Sequence, residues 1–259
     1  MKKLLALLLT LAALFSLSAC GASAPTGTSS EPPAASAQSA AAADEAQSAE
    51  PEADVPSAPY EITYSNFTTY SDSIGSVWGQ AIVEITNTGS ENLYLSAGSY
   101  DVKDESGSLV ATESLVSVYP DVLQPGEKGY LYDETTFDDL SAEGTYEMTP
   151  HLSVESASIP CVRYEVFDTT LKSDDYGEIS LIGQMTNTSD EDGSMVYAVV
   201  VLYDDANTPL GVLYTILDND LSAGDTRGFE AVSWSLPPTA SVDTIANYTV
   251  YAYPMQMQF

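Results

Sequence analysis

The stretch Gly177–Asp205, GEISLIGQMTNTSDEDGSMVYAVVVLYDD, decides the fold. Ile179, Leu181 and Met185 alternate with Ser180, Gln184 and Thr186. A period of two turns one face of a strand to a core and the other to water or a second layer. Thr186-Asn187-Thr188 and the acidic Ser189–Gly193 then form a polar turn, built from residues that hydrogen-bond their own backbone and accept unusual dihedrals. Val196–Tyr203 follows as a short apolar run rich in Val and Tyr and bounded by turn signals. That pattern predicts a central sandwich strand, and the whole stretch reads as a β-hairpin.

The pattern has an echo one hundred residues upstream, in Gly75–Glu105, GSVWGQAIVEITNTGSENLYLSAGSYDVKDE. Thr86-Asn87-Thr88 matches Thr186-Asn187-Thr188. Tyr64, Phe67, Thr69, Ser73, Ile82, Glu91 and Asp104 match the residues one hundred further on. These are ten identities in the 46 ungapped pairs from position 60, against roughly three expected from composition, and they indicate an internal duplication. Further on the register slips by two. Leu123-Gln-Pro-Gly126-Glu127 corresponds to Leu221-Ser-Ala-Gly224-Asp225, as a loop of different length would leave it.

Outward from the repeats, the chain divides into segments. Residues 1–20 form a lipoprotein export signal: Lys2 and Lys3 open it, and Leu4–Phe15 is an apolar run shorter than a membrane span. The lipobox Leu17-Ser18-Ala19-Cys20 ends it. Small side chains fit a signal peptidase, and the Cys20 thiol accepts a diacylglycerol. Residues 21–59 contain Ala, Ser, Pro and Glu without any Lys, Arg or aromatic residue. Such a segment cannot offset its chain entropy by burial and is expected to be a disordered tether. Residues 60–158 form the first predicted domain and residues 159–259 the second. Each is long enough for its own core. In the first, Tyr146, Met148, Leu152 and Val154 alternate with Thr145, Glu147, His151 and Ser153, and Glu143–Tyr146 has the form of a tyrosine corner. In the second, Tyr248, Val250 and Ala252 share a strand face opposite Tyr251 and Tyr253. No segment carries apolar residues at helical spacing. The expectation is all-β: two antiparallel sandwiches in tandem.

The pattern Val200-Val201-Leu202-Tyr203-Asp204, followed by Leu221-x-x-Gly224-Asp225, resembles the FxLYD-type immunoglobulin-like domains of bacterial lipoproteins. Val200 stands where that family has Phe. The first copy departs further, with Gly98-Ser99-Tyr100-Asp101 keeping a Tyr-Asp and Asp104 in register. The resemblance covers roughly residues 60–259. It implies immunoglobulin-like sandwiches and a secreted setting, and it implies no catalytic residues.

Lys and Arg number 7 against 38 Asp and Glu, for a net charge of −31. This excludes nucleic acid or anionic lipid bound through a basic patch. It favours a partner that is cationic or reached through divalent ions. Cys20 is assigned to lipidation, which leaves Cys161 alone, so no disulfide framework is available. His151 is the one histidine, on the polar face of its strand, and no Ser-His-Asp or Cys-His set can use another base. Calcium is the weak alternative, with Asp190, Asp192, Asp218 and Asp220 as candidate ligands in Ser189–Gly193 and Asp218–Asp220, although neither loop has the EF-hand pattern. Tyr94, Tyr100, Tyr251 and Tyr253 are candidates for exposed platforms, competing with a half-buried place in the sheets. No cofactor is expected. The functional expectation is a non-catalytic protein held by lipid on the outer face of a bacterial membrane, contacting a protein or glycan.

Overall fold

The computed structural model describes residues 59–258. The expected signal peptide, the residues Leu17, Ser18, Ala19 and Cys20 read as a lipobox, and nearly all of the expected tether lie outside the described residues. No helix occurs among the described residues, and every strand pairing is antiparallel. The all-β expectation holds.

The first half contains β1 (Tyr60–Ser71), β2 (Val77–Asn87), β3 (Leu93–Leu95), β4 (Gly98–Asp104) and β5 (Leu109–Val116). It continues with β6 (Val118–Tyr119), β7 (Val122–Leu123), β8 (Lys128–Thr136), β9 (Tyr146–His151) and β10 (Val154–Ser156). The second half contains β11 (Glu165–Ser173), β12 (Ile179–Thr186), β13 (Val196–Tyr203), β14 (Pro209–Leu217), β15 (Thr226–Val232) and β16 (Asn247–Pro254).

One sheet of the first half has the order β1-β2-β8-β6, another has β5-β4-β9, and a small third has β10-β3-β7. In the second half the order is β11-β12-β15-β14-β13-β16. Its middle junction is the single pair Tyr214–Val232, so β11-β12-β15 and β14-β13-β16 act as two leaves. The two halves thus share one topology. Strands β1, β2 and β8 correspond to β11, β12 and β15, while β5, β4 and β9 correspond to β14, β13 and β16.

The hairpin reading of Gly177–Asp205 is corrected. Strand β12 pairs with β11 and β15, whereas β13 pairs with β14 and β16. The turn is an arch that carries the chain from one leaf to the other. Period-two alternation identifies a strand and its inward face, and it is silent about the neighbour. Asn187, fully buried, fixes the arch. Its Nδ2 donates to the carbonyls of Glu191 and Leu221, both at 2.8 Å, and the Ser189 amide donates to its Oδ1 at 3.0 Å. Asn87 does the same in the first half, donating to Glu91 and Leu123 and accepting from Gly89. The amides of Gly126 and Gly224 close the pattern on the Asn87 and Asn187 carbonyls, both at 2.8 Å. The repeated Thr-Asn-Thr and Leu-x-x-Gly motifs are therefore the two sides of one buried clamp.

A second device recurs four times. The carboxylates of Asp72, Asp104, Asp174 and Asp204 each accept the amides two and four residues ahead, making a tight Asx-type turn. Gly75, Gly107, Gly177 and Asn207 supply the positive φ that these turns require. By its bonds Asp72 corresponds to Asp174, so the outer strands β1 and β11 are not related by the offset of one hundred. The identities at Tyr64, Phe67, Thr69 and Ser73 therefore do not mark equivalent sites, whereas those at Asn87 and Asp104 do.

Each half has its own interior core. Phe67, Ala81, Val83, Ile85, Tyr100, Val102 and Leu131 fill the first. Leu181, Met185, Val196, Ala198, Val200, Leu202 and Phe229 fill the second. Tyr146 makes the corner expected of it: the Ser141 amide donates to its hydroxyl at 2.9 Å. Cores of this kind would suffice for two independent domains, yet the described residues fall in one compact unit. The cause is a third apolar cluster between the halves.

Candidate interaction surface

The seam is built from the outward side chains of two sheets. Strands β2, β6 and β8 contribute Ile82, Tyr119, Tyr130 and Tyr132; β13, β14 and β16 contribute Val199, Val201, Tyr203, Val212 and Tyr253. Tyr119 stacks on Tyr214 at 5.8 Å between ring centroids, and Tyr130 meets Tyr251 at 6.3 Å. Burying one such side chain stabilises by about 1.5–3 kcal/mol, so a cluster of this size outweighs any exposed ion pair at about 0–1 kcal/mol.

Polar bonds fix the register of the seam. Glu84, 4% exposed, accepts from Lys128 at 2.7 Å, Thr63 at 2.7 Å and Tyr130 at 3.1 Å. The Tyr130 and Tyr203 hydroxyls share a hydrogen bond across the halves. Glu134 accepts from Tyr132 at 2.8 Å, Ser233 at 3.0 Å and the Trp234 amide at 2.6 Å. Burial holds the Glu134 carboxyl above the usual carboxylate range, with those bonds opposing. At the joint, Arg163 donates twice to Glu127, at 3.0 and 2.9 Å, and lies 5.4 Å from the Tyr253 ring centre.

Two open grooves flank this seam. The larger, about 570 Å³, runs past Tyr176, Glu178, Glu230, Val232 and Trp234 to Pro237. The smaller, about 210 Å³, is bounded by Glu113, Leu115, Asp133, Glu134, Tyr214 and again Trp234. Trp234 stands between them, 78% exposed, although its Nε1 donates to the Tyr214 hydroxyl at 2.9 Å. Tyr176 is 92% exposed at the tip of the Asp174 turn, and Ile74 is 87% exposed at the tip of the Asp72 turn, whose aspartate lines the larger groove. Leu115, 84% exposed, adopts φ +60°, a region that bulky side chains rarely occupy. Burial raises the Glu113 carboxyl pKa, and the charge of Asp133 adds to it. Burial also raises that of Asp133, against the Tyr100 hydroxyl that donates to it at 2.7 Å.

The residues singled out from the sequence fall elsewhere. The turn Ser189–Gly193 and the segment ending at Leu221 do meet, because Gly193 and Leu221 exchange backbone bonds at 3.0 and 2.8 Å. The approach requires glycine, since a Cβ at Gly193 would meet the Tyr164 hydroxyl at 1.8 Å. Asp190, Asp192, Asp218 and Asp220 are all exposed. Asp192 accepts the Ala223 amide at 2.9 Å. Among the described residues no three His, Cys, Asp or Glu side chains converge as metal ligands, so the calcium reading has a juxtaposed backbone without a ligand set. The tyrosine platforms are corrected: Tyr100 is 0% and Tyr253 2% exposed, while Tyr94 and Tyr251 are half-buried. Tyr100 fills the first core, Tyr251 and Tyr253 belong to the seam, and Tyr94 sits on the short strand β3. His151 lies exposed on the outer face of β9, 3.1 Å from the Asp101 carboxylate. Cys161 is half-buried at the joint. Burial raises its thiol pKa against the opposing charge of Arg163, which disfavours the nucleophilic thiolate. The residues that sequence reasoning missed are Trp234, Tyr176 and Leu115. Trp234 offered one signal, a lone tryptophan between serines ahead of Pro237-Pro238.

No protein-family model matches the chain, and no curated protein matches it. The chain is an antiparallel, sandwich-like all-β protein made of two topologically equivalent halves.

Proposed function

We propose that this chain is a lipid-anchored bacterial surface protein that binds a protein or glycan outside the membrane without catalysing a reaction. The observation that carries the proposal is the lipobox Leu17-Ser18-Ala19-Cys20 ahead of a duplicated sandwich. With the signal removed, the lipid on Cys20, the tether and the folded halves would stand in one order: anchor, spacer, binding module. The resemblance of Val200–Asp204 to FxLYD-type immunoglobulin-like domains agrees with that order. Further support comes from the positions of the reactive groups. Glu84 and Glu134 are held by structural bonds, His151 pairs with Asp101 on an outer face, and burial raises the Cys161 thiol pKa.

Metabolic labelling with an azido fatty acid tests the anchor. Wild-type chain should carry the label and sediment with membranes, and Cys20→Ser should lose both. Label retained by Cys20→Ser would overturn the assignment. Chemical crosslinking on intact cells tests the binding role, with a discrete crosslinked species expected.

A further inference from the structure

We propose that the two grooves on either side of Trp234 form one docking strip for an extended, basic polypeptide segment. The inference rests on the binding reading above and names its site and partner chemistry.

The strip sets large exposed apolar side chains into grooves whose walls are otherwise largely polar and acidic. Trp234, Tyr176 and Leu115 are each more than three-quarters exposed, and Val232 is 49% exposed. Scattered exposed apolar residues need no explanation, whereas a run of them along two grooves marks a contact surface. Two further features set these positions apart. Leu115 keeps a left-handed backbone while pointing its side chain outward, a cost that neither core packing nor a turn glycine offsets. Tyr176 lies in an Asx turn that lines the larger groove, and the counterpart turn of the first half, which carries the exposed Ile74, reaches the same groove through Asp72.

Charge selects the occupant. Glu178 and Glu230 line the larger groove and Glu113 and Asp133 the smaller, while neither groove is lined by Lys, Arg or His. A cationic side chain beside Trp234 or Tyr176 gains from the ring face as well as from the carboxylates. Aliphatic Leu115 and Val232 suit the side chains between such cations, and they give a sugar ring nothing to stack on. Open grooves continuing past one indole match a chain in extended conformation, with cationic and apolar residues alternating at period two.

The test is a fluorescence-anisotropy titration of the full chain in non-ionic detergent micelles, with empty micelles as the blank. The probe is a labelled peptide alternating Lys with Val and Thr, compared with its Glu-for-Lys counterpart. The Lys peptide should bind and the Glu peptide should not. Trp234→Ala should weaken binding at least tenfold and Glu230→Gln several-fold. Glu147→Gln, which removes the same charge from the outer face of β9, should leave it unchanged. Equal effects of Glu230→Gln and Glu147→Gln, with none from Trp234→Ala, would overturn the strip and indicate attraction to net charge alone. Displacement of the peptide by an N-acetylglucosamine oligomer at the Trp234 site would overturn the choice of partner. The peptide is recovered and weighed by mass spectrometry afterwards. Cleavage would overturn the non-catalytic reading and the strip with it, whereas intact peptide bound without regard to Trp234 overturns the strip alone.

Discussion

Strands β4 and β13 occupy the same place in the two halves, and their outer faces are opposite in character. On β13 that face carries Val199, Val201 and Tyr203; on β4 it carries Ser99, Asp101 and Lys103. The neighbouring strands follow suit. Val212 and Tyr214 on β14 stand where β5 has Thr112 and Ser114, and Tyr251 on β16 stands where β9 has His151. The reverse exchange occurs on the other leaf, where Tyr130 and Tyr132 of β8 correspond to Gly228 and Glu230 of β15. Each half has therefore made a different face apolar. The first uses its β1-β2-β8-β6 sheet and the second its β14-β13-β16 leaf, and those two faces meet in the tyrosine seam. The faces left over are polar. A duplicated domain with two identical sticky faces would stack head to tail without limit. Differentiating the copies stops the stack at two.

The most severe way to break this contrast is to write the first copy's residue into the second. Val201→Asp places an unpaired carboxylate in the seam, since Val201 is fully buried. The expected loss is at least about 4 kcal/mol, read by urea denaturation, with the halves then unfolding separately.

Substituting the clamps asks whether the copies are equivalent where they should be. Asn87→Ala and Asn187→Ala each remove two side-chain donors to buried carbonyls. Each should cost about 3 kcal/mol, and the two losses should agree within about 1 kcal/mol. A large inequality would show that the two arches differ in energy despite their common geometry.

Tyr130→Phe removes a hydroxyl shared by Glu84 and Tyr203. About 1–2 kcal/mol should be lost, and none of it should come from the separate interior cores. Hydrogen exchange should place the loss on β8 and β13.

Smallest is the converse exchange, Asp101→Val. Asp101 lies on the solvent face, accepting from Thr112 at 2.7 Å and pairing with His151 at 3.1 Å. Monomer stability should change less than in any of the preceding variants, because the pair is open to solvent. The variant is informative in another assay, since it begins to restore the apolar face and should raise self-association in sedimentation velocity.

Much of this was legible in the sequence, for reasons particular residues make plain. Val196–Tyr203 announces a central strand, and the structure covers it on one face by the interior core and on the other by the seam. Thr-Asn-Thr and Leu-x-x-Gly announce a repeated turn because a buried asparagine must be fully bonded. Partner choice was not legible. Alternation in Ile179–Met185 fixes an inward face without saying that β15, rather than β13, lies alongside. Tyr251 and Tyr253 could be read as a platform or as half-buried sheet residues, because a tyrosine face suits a binding surface and an internal seam equally well. Trp234, Tyr176 and Leu115 stood outside every periodic segment, so the grooves they flank emerge only when two loops and the end of β5 are brought together.

Acid should sharpen the picture of the seam. Burial raises the carboxyl pKa of Glu134, Asp133, Asp121 and Glu113 in the folded chain. The folded state then binds more protons than the unfolded one above the ordinary carboxylate range, so stability rises as pH falls through the raised values. Asp72, Asp101 and Asp104 have depressed pKa values, chiefly through side-chain hydrogen bonds from Trp78, Thr112 and Ser106. Their contribution is present above the unfolded value and is lost as pH falls through the depressed ones. The melting temperature should therefore rise as the pH falls from neutral through the raised carboxyl range, and drop again once it falls through the depressed one.

Scanning calorimetry of the wild-type chain at neutral pH puts the seam to the most direct test. One transition, with equal calorimetric and van't Hoff enthalpies, is the predicted result, because the seam makes the halves a single cooperative unit. Two resolved transitions, insensitive to Val201→Asp, would mean that the halves fold independently and that the tyrosine seam contributes little.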